Sequence, residues 1–471
     1  MSETAPGGTT RMGARERATL LVLCGAIFLE GIDVAMLNVA LPSIRADLGL
    51  GTAELSGVVS AYVLGYAGFM LLGGRAADLY GRRRMFLVWL VVFLVFSGIG
   101  GLATDAPMLL AARFVTGVAA AFLTPAGLAL VTATFPAGPL RTRALGFYAG
   151  TASGGFSLGL VAGGLLTAVG WRWVFFAPVI LSAIILVAAA VLVRDPGGRL
   201  VGGRLDLAGT ASITAAMLLL AYGVLRLEAP GEGVATTVAV LVAGAALVGV
   251  FVAVERRSPA PLVRLGLLRT PGLARTNATM LLFLGAFAGF QFLVTLHLQE
   301  LRGWTPLQTA LAMLVIAIDT VLAPTLTTRL VNRFGHLAVL RWGLATAVLA
   351  YALFLPIAPD WTYALMLPSF AVLGIAFALA YGPLTMAATD GVDEAEHGVA
   401  GGLLYTSAQF GTALGLSAAT AVHVGAAAAG ATGVDALHVA LLVPVAAAAL
   451  GLVAAMSGRR RRVAVADPAA V

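Results

Sequence analysis

The chain contains no lysine: all 29 of its basic residues are arginine. Its one cysteine, Cys24, excludes an internal disulfide and a cysteine-built metal cluster. Charge is scarce too. Only 11% of the 471 residues are charged, against about 25% in a typical soluble domain. The polar stretches between apolar runs are short, which leaves no room for a sizeable soluble sensing domain. No Ser/His/Asp grouping, His-Glu-x-x-His run or phosphate loop occurs, and no pair of His with acidic neighbours has metal-ligand spacing. The expectation is a protein that is not an enzyme and uses no cofactor or metal.

What is present is apolar: 60% of the residues are hydrophobic. A bilayer-spanning helix takes roughly 20 such residues. Fourteen segments qualify: 18–42, 54–74, 85–104, 107–132, 143–169, 173–193, 206–225, 233–254, 274–299, 305–328, 338–358, 361–387, 398–425 and 434–457. The first run is too long for a cleaved leader and leads straight into further spans. The arginines set the orientation. Twenty-four fall in the two tails and the even-numbered loops, four (Arg45, Arg172, Arg226, Arg302) in the odd-numbered loops, and Arg113 inside a span. By the positive-inside rule both termini are cytoplasmic, in a multi-pass cell-membrane protein. The net charge of +7 is this topology signal rather than a nucleic-acid footprint, so the bilayer is the expected partner.

The loop after span 2, Gly74-Arg75-Ala76-Ala77-Asp78-Leu79-Tyr80-Gly81, is echoed after span 10, where Arg329, Asn332 and Gly335 meet Arg75, Asp78 and Gly81. Two six-span halves with such an echo are how many transporters are built, with the site between the halves near the midplane. The expected architecture is all-α: two six-helix bundles, with spans 7 and 8 as an extra central pair. The divisions are a tail (1–17), a first bundle (18–193), a linker with the extra helices (194–270), a second bundle (271–457) and a tail (458–471).

Ionisable groups inside spans mark function by default. Span 1 carries Glu30 and Asp33, three apart and so on one helical face. Asp33 lies roughly 13 Å and Arg113 of span 4 roughly 9 Å below the outer surface at 1.5 Å per residue. The two are therefore within pairing reach. Asp319 sits deep in span 10, either facing substrate or capped by Thr320 or backbone.

Several stretches resemble the major facilitator superfamily, in particular its fourteen-span drug:proton antiporters. Gly74 to Arg84 resembles the loop signature G-x-L-a-D-r-x-G-R-R/K, with Ala76 for Leu. Asp33, Asn38 and Pro42 keep the spacing of the antiporter span 1 motif, with Ala35 for its Thr. Leu109 to Gly117 is similar to l-x-x-x-R-x-x-q-G, with Thr116 for Gln. Gly155, Gly159, Gly163 and Gly164 of span 5 match g-x-x-x-G-P-x-x-G-G, with Leu160 for Pro. Trp171-Arg172-Trp173, Asp206 to Gly209, Glu255 to Leu262 and Gly303 to Gln308 extend the likeness over nearly the whole chain.

The resemblance implies alternating access and proton-coupled export of drugs, antibiotics or other toxic small molecules. Asp33 and Arg113 are then the proton-coupling residues. Glu30, Asn38 and Asp319 are candidates for contacting a hydrophobic, in part cationic, substrate. Gly74, Asp78, Gly81, Arg82 and the span 5 glycines belong to the conformational switch. The expected working unit is a monomer. A major facilitator carrier of one metabolite, working inward, stays open as the rival.

Overall fold

The computed structural model describes residues 12–135, 139–194, 206–226, 233–258, 266, 271–390, 392, 397–431 and 433–457. The expected tails before residue 12 and after 457, most of the linker between spans 6 and 7, and Pro261, Leu262, Asp393, Glu394 and Glu396 lie outside them. Among the described residues the chain forms helices and no strand. This is the hydrogen-bonding solution hydrocarbon allows a spanning segment, short of a closed barrel.

The helices are α1 (Ala14–Leu48), α2 (Thr52–Tyr80), α3 (Arg82–Gly101), α4 (Ala106–Thr134), α5 (Pro139–Val169), α6 (Trp173–Leu192), α7 (Leu207–Arg226) and α8 (Val234–Glu255). They continue with α9 (Pro271–Leu296), α10 (Pro306–Phe334), α11 (His336–Phe354), α12 (Tyr363–Thr389), α13 (His397–Ala428) and α14 (Val434–Met456). Each coincides with one expected span. Eleven are long and apolar enough to cross a membrane; α5 and α7 add shorter apolar stretches, Gly154–Val169 and Ala208–Leu220. α10 is irregular. A 3-10 stretch at Leu314–Ile318 and a π-type stretch at Ala323–Thr327 flank the turn that carries Asp319.

Helices pack in two sets. In the first, α2 lies on α4, α1 on α5 and α6, and α3 on α4 and α6. In the second, α9 lies on α13 and α14, and α11 on α12 and α14. The sets meet where α2 packs on α13 and α5 on α10. Numbered within its own set, a second helix meets a fifth in both places, as a repeat predicts. α7 packs on α8, α2 and α13.

Two turns carry the repeat into geometry. Gly81 joins α2 to α3 with φ +99°, and Gly335 joins α10 to α11 with φ +80°. Only glycine adopts this backbone without strain. Beyond each turn an arginine reaches the end of the sixth helix of its set. Arg83 donates to the carbonyls of Val193 (2.6 Å) and Ala190 (2.7 Å). Arg341 donates to that of Ala455 (3.3 Å). A cation there answers the unpaired carbonyls and the negative end of the helix dipole.

Apolar side chains are exposed along the outer helices: Val88, Val91 and Val95 on α3, Ile180, Ile184, Val187 and Val191 on α6, and Leu442, Leu450 and Val453 on α14. A contiguous apolar face of this extent marks contact with lipid.

Candidate functional site

Small residues bring α1, α2 and α4 together. Gly117 of α4 packs against the Tyr62 backbone of α2, leaving no room there for a side chain. The acids of α1 then face two different partners.

Asp33 and Arg113 form an ion pair, Nη1 to Oδ2 at 2.7 Å, with each side chain only 2% exposed. The Arg113 guanidinium also lies over the Tyr62 ring, 4.5 Å from its centroid. Charges this deep are tolerated because they neutralise each other. Removing one partner of a buried pair costs about 3–5 kcal/mol by leaving a lone charge. Thr116, in the place of the motif's Gln, turns its hydroxyl back to the Arg113 carbonyl (2.9 Å) and does not contact the carboxylate.

Glu30 lies one turn away in a pocket of hydroxyls. Thr124 of α4 donates to its Oε2 at 2.6 Å, and Tyr66 donates to Thr124 at 2.9 Å. A small cavity beside it, about 10 Å³, is lined by Glu30, Thr124, Tyr148 and apolar neighbours. From the second set, Tyr381 of α12 and Tyr405 of α13 hydrogen-bond each other within reach of the Glu30 charge. The two acids of one helical face thus sit in distinct environments, a cation for Asp33 and neutral hydroxyls for Glu30.

Asn38 reaches Gln291 of α9 at 3.5 Å, so it stands where the two sets meet. Nearby, Gln299 donates to the Val39 carbonyl (3.0 Å), and Arg45 pairs with Glu300 (2.8 Å). Asp319 belongs to another helix and accepts a hydrogen bond from Thr320 (3.3 Å).

The α5 glycines pack on the acid-bearing helix. A methyl group added at Gly155 falls 2.8 Å from the Phe28 carbonyl oxygen, and one at Gly163 falls 2.7 Å from the Met36 Cα. At Gly159 it falls 2.8 Å from both the Ala35 Cβ and the Ile32 Cα. Gly164 faces the other way, 2.8 Å by the same measure from Leu307 Cα of α10. α5 therefore touches α1 with one edge and the second set with the other. Gly74 faces Pro125 of α4, and Asp78 and Gly81 lie at the end of α2 with Arg82 just beyond.

Other family-like stretches are structural. Asp47 accepts from the Trp171 indole (3.0 Å) and from Arg172 (2.8 Å), clamping α1 to the turn before α6. Asp206 caps α7 through the Gly209 amide (2.7 Å). Thr305 and Gln308 form a reciprocal cap on α10. The sequence reading missed Tyr62, Tyr66, Thr124, Tyr148, Tyr381 and Tyr405. Hydroxyls are common in spans, and no spacing singles these out.

A bundle of long apolar helices with an apolar exterior and an ion pair in its interior has the build of an integral membrane protein. Residues 23–416 match the Major Facilitator Superfamily profile, and the chain belongs to that family of membrane transporters. It is similar to the cephamycin export protein CmcT of Amycolatopsis lactamdurans, 36% identical over 87% of this chain and 85% of that one. The puromycin resistance protein pur8 of Streptomyces alboniger is 34% identical over 87% and 82%. Among solved structures, a POT family transporter in complex with 5-aminolevulinic acid superposes with a TM-score of 0.70 at 15% identity, covering 93% of this chain and 94% of that one. A D-xylose-proton symporter superposes with a TM-score of 0.65 at 15% identity, covering 94% and 97%. At these identities the superpositions speak for the fold alone.

Proposed function

We propose that this protein exports drugs, antibiotics or other toxic small molecules from the cell in exchange for protons, by alternating access. The observation that carries the proton-coupled reading is the buried Asp33–Arg113 pair at 2.7 Å. Protonating Asp33 removes the attraction and leaves Arg113 on the Tyr62 ring alone. Deprotonation restores it. A proton thereby selects between two arrangements of α1 and α4, which is what coupling requires. Relatives named for antibiotic export and resistance support the export direction.

In this reading both termini are cytoplasmic and all fourteen helices cross the cell membrane. Residues 18–193 and 271–457 are the rocking halves, and a single chain is the working unit. The end holding Arg45, Glu300 and the Gly164–Leu307 contact is extracellular, so the conformation is closed to the outside. Glu30, with Tyr66, Thr124 and Tyr148 around it and Tyr405 opposite, receives the substrate's polar or cationic group. Asn38 lies on the outer exit, and Asp319 lies at the irregular segment of α10 where that helix bends between states. Gly74, Asp78, Gly81 and Arg82 hold the cytoplasmic side, while the α5 glycines let α1 slide.

The test is a panel of toxic compounds and fluorescent dyes given to cells making the protein, with and without collapse of the proton gradient. Gradient-dependent efflux of several unrelated compounds is expected. Uptake of one metabolite, or efflux that ignores the gradient, would overturn the proposal.

A further inference from the structure

A cavity of about 850 Å³ opens between the first turns of α1 and α5, away from the Asp33 and Glu30 networks. Its mouth carries Arg17 and Arg143, both exposed, and neither makes a hydrogen bond or ion pair among the described residues. Among the described residues no Asp or Glu lines it. Behind the arginines the walls are apolar. Leu21 is 77% exposed along it and Phe147 57%. Cys24 and Thr151 lie further in, within hydrogen-bond reach of each other. The groove ends at Phe28, where α1 closes on Gly155.

We infer that this groove binds one anionic phospholipid, with its phosphate between Arg17 and Arg143 and an acyl chain along α1. The dimensions argue for lipid. From Arg17 to Phe28 the groove runs roughly 16 Å at 1.5 Å per residue. That is about half of a hydrocarbon core near 30 Å thick, the depth of a single leaflet. Two bare cations at one end and an apolar trough at the other fit a molecule with an anionic head and a hydrocarbon tail. Basic pockets between spanning helices hold anionic headgroups in this way. Among the described residues no carboxylate answers either arginine, which leaves both open to an external anion. The inference rests on the membrane-spanning reading but not on the substrate or the direction of transport.

The consequence is mechanical. α1 carries both acids, and α5 touches the second set through Gly164. A chain wedged below the Gly155 contact props the starts of these two helices apart, so lipid composition acts on the equilibrium between transport states.

The test titrates dioleoyl phosphatidylglycerol into the purified full-length protein in detergent and follows binding by native mass spectrometry. The parallel arms are dioleoyl phosphatidylcholine and inorganic phosphate. Phosphatidylglycerol is expected to bind, the other two at least tenfold more weakly. Charges of this kind are worth about 1 kcal/mol each at a membrane surface, so Arg17→Gln with Arg143→Gln together should weaken binding about 30-fold. Arg17→Lys with Arg143→Lys should retain it. Thr151→Phe, which fills the trough and leaves the arginines, should also weaken it. Cys24 is the chain's one thiol, so maleimide labelling needs no cysteine-free background, and bound lipid should slow it. Equal binding of phosphatidylcholine, indifference to the arginine pair, or equal binding of phosphate alone would overturn the inference.

Discussion

Removing the Glu300 charge should loosen the outer closure by a calculable amount. Arg45 on α1 and Glu300, in the π-type stretch His297–Leu301 that follows α9, are paired at 2.8 Å, their side chains 31% and 32% exposed. Pairs this open to water contribute about 0.2–1 kcal/mol. If the pair exists only in the outward-closed state, losing 1 kcal/mol raises the outward-open population about fivefold. Glu300→Gln keeps the side-chain shape and leaves the Arg45 Nε bond to the Leu50 carbonyl (3.2 Å) in place. Val59 of α2 reports on the closure, because it belongs to a buried cluster that also holds Met36 of the first set and Phe292 and Leu416 of the second. In a Cys24→Ser, Val59→Cys protein, a membrane-impermeant maleimide should label slowly, and up to about fivefold faster with Glu300→Gln. Arg45→Gln should act in the same direction, and the double variant should add nothing beyond either single change. Unchanged or slower labelling, or strict additivity, would refute the assignment of this pair as an outer latch.

Gly159→Leu forces side-chain atoms into Ile32 and Ala35 and should cost about 1–3 kcal/mol in packing; a lowered melting temperature with transport lost is the expected result, and wild-type efflux would contradict it. Thr124→Val removes the hydroxyl that donates to Glu30 and should cost about 1–3 kcal/mol in stability. In export assays it should change apparent affinity more for cationic compounds than for neutral ones of the same size. Gly81→Ala places a Cβ where φ is +99°; by thermal unfolding it should lose about 1–2 kcal/mol.

Much of the fold was legible because hydrocarbon allows so few backbone solutions. The span lengths foreshadow the helices, and Gly81 and Gly335, matched in sequence, both take positive φ. Asp33 and Arg113 could be put within reach of each other from depth along their helices, because a helix converts residue number into distance. Helix rotation and partner identity are not written that way. Nothing in the spacing shows that Glu30 turns to Thr124 rather than to Arg113, or that Tyr405 of α13 comes near it. The irregularity of α10 had a cue in Pro324, which lacks an amide donor, but its extent depends on packing against α12. The Trp171-Arg172 and Thr305-Gln308 stretches were legible as family-like, yet their contacts make them clamps and caps rather than parts of the site.

The most direct test of the central claim is transport by Asp33→Asn in everted membrane vesicles. A pH gradient should drive a fluorescent substrate into vesicles carrying the wild-type protein. The variant leaves Arg113 buried without its counter-charge, at a cost of about 3–5 kcal/mol. Substrate exchange without a gradient must therefore be measured beside it, as proof of a folded carrier. The account predicts that exchange persists while gradient-driven accumulation falls to background. Full accumulation in the variant would contradict it.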